Sequence, residues 1–96
     1  MIIGVLQVSF RLPSRDLKER RMIVRSVVER VRSRYNAAVA EVGQLNDPSS
    51  ATIAITCVSN ESGHADSQLQ SIARAVESWR LDAELIDIET ELLTYP

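Results

Sequence analysis

Residues 2–34 read IIGVLQVSFRLPSRDLKERRMIVRSVVERVRSR, and within them the apolar period changes once. Up to Leu12 it is two. Ile2, Leu6, Val8, Phe10 and Leu12 share one parity, while Gln7, Ser9 and Arg11 take the other, together with Ile3 and Val5. This alternation predicts a strand over residues 2–12 with one face on a core. Pro13 and Ser14 end it. Asp16-Leu17-Lys18-Glu19 then reads as a helix start, because Asp caps the first turn and an acid three residues on completes a variant of the capping box. From Leu17 to Arg34 the period is helical. At about 100° per residue, Leu17, Val24, Val28, Val31 and Tyr35 fall on one stripe. Lys18, Arg21, Arg25 and Arg32 line one flank of that stripe, and Arg20, Arg30 and Arg34 the other.

The rest of the chain repeats this pattern. Ala37 to Val42 reads as a weak strand suited to a sheet edge, and Gly43 to Ser50 (GQLNDPSS) as a turn-rich loop. Ala51 to Ser59 is a stronger strand with Ile53, Ile55 and Cys57 on one face. Asn60 to Gly63 is a turn. A second helix is expected from His64 to Arg80, with Leu69, Ile72, Val76 and Trp79 as its apolar stripe. A last strand is expected from Glu84 to Leu92, with Ile86, Ile88 and Leu92 facing in and Asp87, Glu89 and Glu91 facing out. The order βαββαβ predicts an α+β, ferredoxin-like sandwich: a four-stranded antiparallel sheet with two helices on one face and the other face open.

The totals fit one domain of 96 residues. Apolar residues make up 45% and charged residues 25% of the chain, which is ordinary for a globular domain with a single modest core. No apolar run is long enough to span a bilayer, and the start lacks the pattern of a secretory signal. The expectation is a cytoplasmic protein. One Cys and one His are too few for a disulfide framework or for a zinc site built from those ligands. No cofactor is expected.

Charge is distributed unevenly. Residues 1–40 hold nine Lys or Arg against three acids, a net of +6, and residues 41–96 hold two against ten, a net of −8. The overall −2 therefore hides a bipolar chain that can offer a basic face to an anionic partner.

Four stretches taken in order resemble one family. They are MIIGVLQVSFRLP at the first strand, DLKERRMIVRSVVERVRSRYN at the first helix, AVAEVG at the second strand and ATIAITCVSNESGHADSQLQSI across the third strand and second helix. Together they resemble the YlxP-like family of small bacterial proteins of unknown function. Asp16 stands where that family usually has Ser, and the loop from Gly43 to Ser50 lacks the aromatic residue common there. The resemblance implies the ferredoxin-like fold and a genomic setting among translation and ribosome-maturation genes. It implies no substrate and no catalytic residue.

Two surfaces are candidates for function. Lys18, Arg21, Arg25 and Arg32 span about four helical turns, roughly 20 Å, and could follow a line of phosphates, with Arg11 and Arg15 extending it. Arginine suits this through its forked donors. The competing reading is a solvated helix whose charge is balanced by the acidic half of the chain. The second surface is the open sheet face, which on the expected register carries Ile3, Val5, Gln7, Ser9, Thr52, Ala54, Thr56 and Val58. It has no aromatic on which a base could stack, and Asp87, Glu89 and Glu91 would repel phosphate. Ile3, Val5, Thr56 and Val58 instead suggest self-association, against the ordinary occurrence of scattered surface apolars.

Other motifs read more plainly. Gln7-Val8-Ser9-Phe10-Arg11 is similar to the phosphate cradle of acylphosphatases but lacks its glycine, and Asn60 would have to orient the water. His64 reads as a cap or turn residue, Cys57 as an inert buried thiol, Trp79 as an anchor under the last strand, and Glu89 and Glu91 as a solvated edge. The sequence thus predicts a non-enzymatic accessory protein that binds structured RNA or a ribosomal component through its first helix. The alternative is a homodimeric interaction module using the open sheet face. Neither reading involves a membrane or a metal.

Overall fold

The computed structural model describes residues 1–13, 16–43, 47–79 and 82–96. Six elements follow in the order β1 (Ile2–Arg11), α1 (Leu17–Arg34), β2 (Ala38–Val42), β3 (Ser50–Ser59), α2 (Ser62–Ser78) and β4 (Glu84–Thr94). The strands form one sheet in the order β2-β3-β1-β4, and every neighbouring pair is antiparallel. This is the expected ferredoxin-like α+β arrangement.

The alternation in β1 is realised as read. Leu6, Val8 and Phe10 are buried with Ile53, Ile55 and Cys57 of β3 and with apolar residues of both helices, in one core. Across the sheet Ile3 pairs with Val58, Val5 with Thr56, Gln7 with Ala54 and Ser9 with Thr52. These residues make up the open face anticipated from the sequence. Asp16 caps α1 by accepting a 2.8 Å hydrogen bond from the Glu19 amide, which satisfies one of the unpaired donors of the first turn.

Three expectations change. First, the core stripe of α1 is Arg20, Val24, Val27 and Val31. Val27 replaces Val28, which is half-buried, and Arg20 leaves the solvated shoulder for the core. Second, α2 begins at Ser62, capped by Glu61 without a side-chain hydrogen bond, so His64 lies exposed in the first turn and is not the cap. Its expected end at Arg80 lies outside the described residues. Third, β4 is longer and slips once. Ser9 faces Asp87 while Phe10 faces Leu85, so Ile86 is the additional residue of a bulge. Leu85 takes the inward place expected of Ile86, and Ile86 is 48% exposed. Leu92 does point to the helix side, opposite Gly4, yet it stays exposed.

That exposure is lateral. Leu92 sits on the edge strand β4, in the row of Gly4 and Cys57. There α2 covers the row through Leu69 over β1 and β3, so the outer side of Leu92 meets water. Met1, Val58, Leu93 and Tyr95 are exposed at the same end of the sheet, on the face away from the helices. Pairing continues to the edge there, with Tyr95 donating to the Met1 carbonyl at 2.8 Å.

A basic groove between the first helix and the edge strand

The basic helix divides into cations used internally and cations left over. Arg20 is 2% exposed. Its guanidinium pairs with Glu41 and donates to the main-chain carbonyls of Asp47 and Ser50 at 2.6 and 3.0 Å. It thus pins α1 to β2 and to the chain entering β3. Glu41 can receive it because that residue lies on the inward parity of β2, opposite Ile53. A buried arginine is tolerated when its donors are matched in this way.

Arg30 and Arg34 are used differently. Their guanidinium carbons lie 5.4 and 5.5 Å from the centre of the Trp79 ring, within cation–π range. Trp79 therefore ties the end of α2 to the last turns of α1, a role its placement under the last strand did not suggest. Arg11 stands apart. It is on the open-face parity of β1, opposite Ser50 and Glu84, and its guanidinium is 3.7 Å from Glu84 in an exposed pair. It does not join the line formed by the helix arginines. Arg15 lies outside the described residues.

Lys18, Arg21 and Arg25 remain exposed, and among the described residues none is in an ion pair. Arg21, Arg25 and Arg32 line a groove of 280 Å³ between α1 and β2, with Val24, Val28, Glu29 and Glu41. Arg32 is held at its end by a 3.1 Å hydrogen bond to the Val39 carbonyl. Glu41 is already neutralised by Arg20, so three arginines face one uncompensated acid, Glu29. The groove is cationic over a floor of valine.

The remaining candidates lose their chemistry in the fold. Gln7 to Arg11 is a straight run of the strand that pairs with β3 on one side and β4 on the other, so its amides cannot wrap an anion. Asn60 follows Ser59, which faces Ile2, so it lies at the opposite end of β1 from Arg11. The Ser59 hydroxyl accepts from the Glu61 amide at 3.1 Å and shapes the turn. Cys57 is buried, and burial pushes its thiol above the ordinary value of 9.0, away from a nucleophilic thiolate. Among the described residues no group of His, Cys, Asp and Glu could hold a metal ion, and no helix is long and apolar enough to cross a membrane.

The family model DUF503, a protein family of unknown function, matches residues 3–90. The chain belongs to the DUF503 family. No curated protein matches it. Among solved structures, the de novo designed protein Foldit4 is similar, with a TM-score of 0.53 and 12% identity over 98% of this chain and 99% of that one. A likeness at that identity concerns the fold alone. It fits with a DUF503 chain built from a regular βαββαβ layout, whose individuality lies in the side chains on its two surfaces.

Proposed function

We infer that this DUF503 protein is a non-catalytic accessory protein that binds a polyanion, structured RNA, in the groove between α1 and β2. One observation carries the reading. After the internal uses of Arg20, Arg30 and Arg34 are removed, the cations left on α1 form one continuous flank, Lys18, Arg21, Arg25 and Arg32, beside the edge strand. Cations held only for solubility have no reason to sort in this way. Arg32 is positioned by a main-chain hydrogen bond, which lowers the entropy lost when it meets a phosphate. The acids of β4 do not cancel the flank, since Glu84, Asp87, Glu89 and Glu91 lie at the other edge of the sheet, and Glu41, which lines the groove, is paired with Arg20.

RNA is the polyanion chosen because the first-helix and strand motifs resemble those of YlxP-like proteins, whose setting among translation genes implies a ribosomal component in the cytoplasm. The open face carries one aromatic, Tyr95 just past the end of β4, and none among its central rows, which speaks against stacking of successive bases there, so recognition is of backbone and shape. The test is capture of RNA from lysate by the intact protein at low and high salt. Recovery of ribosomal RNA that is released at high salt, and is lost in Arg21→Glu/Arg25→Glu/Arg32→Glu, is the expected result. Absence of RNA at low salt would contradict it.

A further inference from the structure

The groove leaves the open face of the sheet without a role, and that face is strongly polarised along the strands. At one end Leu93, Ile3 and Val58 lie in one row across β4, β1 and β3. Met1 and Tyr95 continue the patch, and Val58 is 65% exposed. At the other end stand Ser9, Arg11 and Asp87. Acids occupy only one margin, where Asp87, Glu89 and Glu91 face Ser9, Gln7 and Val5. The opposite margin, β2, presents Ala38, Ala40 and Val42 to the same side.

We propose that the protein forms a homodimer in which two open faces pack together about a two-fold axis running parallel to the strands. Two face-to-face sheets related by a two-fold have that axis in the plane between them. An axis across the strands would lay β4 on its own copy, setting three acids against the same three acids. It would also put the apolar end on the polar end. An axis along the strands does the opposite on both counts. The apolar end meets the apolar end, and the acids of β4 lie over the uncharged Ala38, Ala40 and Val42 of the partner subunit.

The pattern is self-complementary in that orientation, as an isologous contact requires. Ile3 lies over Val58 of the partner subunit, Val5 over its Thr56, and each pair occurs twice. Thr56 already donates its hydroxyl to the Gly4 carbonyl at 2.9 Å, and Ser9 and Thr52 hydroxyls lie 3.2 Å apart. Covering them therefore strands few donors, and the carboxylates of β4, on the margin of the face, keep their water at the rim of the contact. Four strands at about 4.8 Å spacing, one of them short, present about 550 Å² in projection and more in accessible area. That is close to the roughly 800 Å² per partner of a standard stable interface. Sheets stacked this way take the aligned packing of a β-sandwich. Both helix layers stay outside, so the dimer carries two exposed α1–β2 grooves and stands whether or not those grooves bind RNA.

Sedimentation velocity of the full chain over a concentration series tests this. The wild type should dimerise with a Kd of about 10 µM or tighter. Val58→Glu should weaken the dimer at least about tenfold with the far-ultraviolet circular dichroism unchanged, and with the melting temperature unchanged at protein concentrations well below the dimer Kd, because the side chain is exposed in the monomer. Ala40→Lys should tighten it about three- to fivefold, since Ala40 shares a row with Ala54, Gln7 and Glu89 and would meet Glu89 of the partner subunit. A folded wild type that stays monomeric throughout, or a dimer indifferent to Val58→Glu, overturns the proposal. A dimer weakened by Val58→Glu yet not tightened by Ala40→Lys overturns the axis.

Discussion

Arg20 illustrates how a charged residue can serve a core. Its stem lies on the stripe with Val24, Val27 and Val31, and its head is matched by Glu41 and two carbonyls. Removing the head would strand those acceptors. Arg20→Met should lower stability by about 3 kcal/mol, the low end of the range for breaking a buried pair because Glu41 keeps some contact with water. Arg20→Met/Glu41→Leu should recover part of that loss, as denaturant melts of the four proteins in the cycle would show. Asp47 works beside it. Hydrogen bonds from the Ser49 hydroxyl, the Ser49 amide and the Ser50 hydroxyl hold its carboxyl below the ordinary 3.8. A carboxyl with a depressed folded pKa contributes stability that is present above 3.8 and lost as pH falls through the folded value. Chemical denaturation between about pH 5 and pH 3 should therefore show a smaller acid loss in Asp47→Asn than in the wild type. An equal loss in both would count against the role given to those hydrogen bonds.

At the scale of elements, α2 packs tightly on the sheet at Gly4, through Leu69. A β-carbon placed there would lie 3.0 Å from Cys57 Sγ and 3.1 Å from Leu69 Cδ1, so that one of these side chains must give way by a few tenths of an ångström. Gly4→Ala should cost about 1–3 kcal/mol, and Leu69→Val in the same chain should relieve part of it. A thermal melt unchanged by Gly4→Ala would show that α2 does not sit where described. The strand and helix periods of residues 2–34 were enough to place β1 and α1 and to assign the open-face parity of β1, where the alternation is regular, while the α1 stripe was read one position off at Val28 in place of Val27. Three features escaped that reading for separate reasons. Arg20 is polar, and an apolar stripe cannot point to a residue that is buried because of a partner on another strand. Ile86 follows the alternation, and only pairing with β1 reveals the bulge that turns it out. Trp79 was legible as an anchor, but its partners Arg30 and Arg34 come from the other helix. The basic flank was legible as charge at helical spacing; what the fold adds is the removal of Arg11 from it and the internal use of Arg20, Arg30 and Arg34 on the other flank.

For the whole molecule, the separation of charge along the chain becomes a separation in space. The free cations of α1 lie beside β2, and four acids, Glu84, Asp87, Glu89 and Glu91, lie along β4 at the opposite edge of the sheet. Such a molecule orients in the field of a polyanion with its basic groove leading and its acidic edge trailing. Binding by that groove must release counterions, and the salt dependence counts the contacts. The most direct measurement is therefore the affinity for a structured RNA as a function of salt, for the wild type and for Arg21→Ala, Arg25→Ala and Arg32→Ala taken singly. The basic flank of Lys18, Arg21, Arg25 and Arg32 predicts a log–log slope of about −3.6 for the wild type, from four cations at about 0.9 each, and a slope shallower by nearly one unit in each variant. A slope near zero, or one that no arginine of the groove alters, would contradict it.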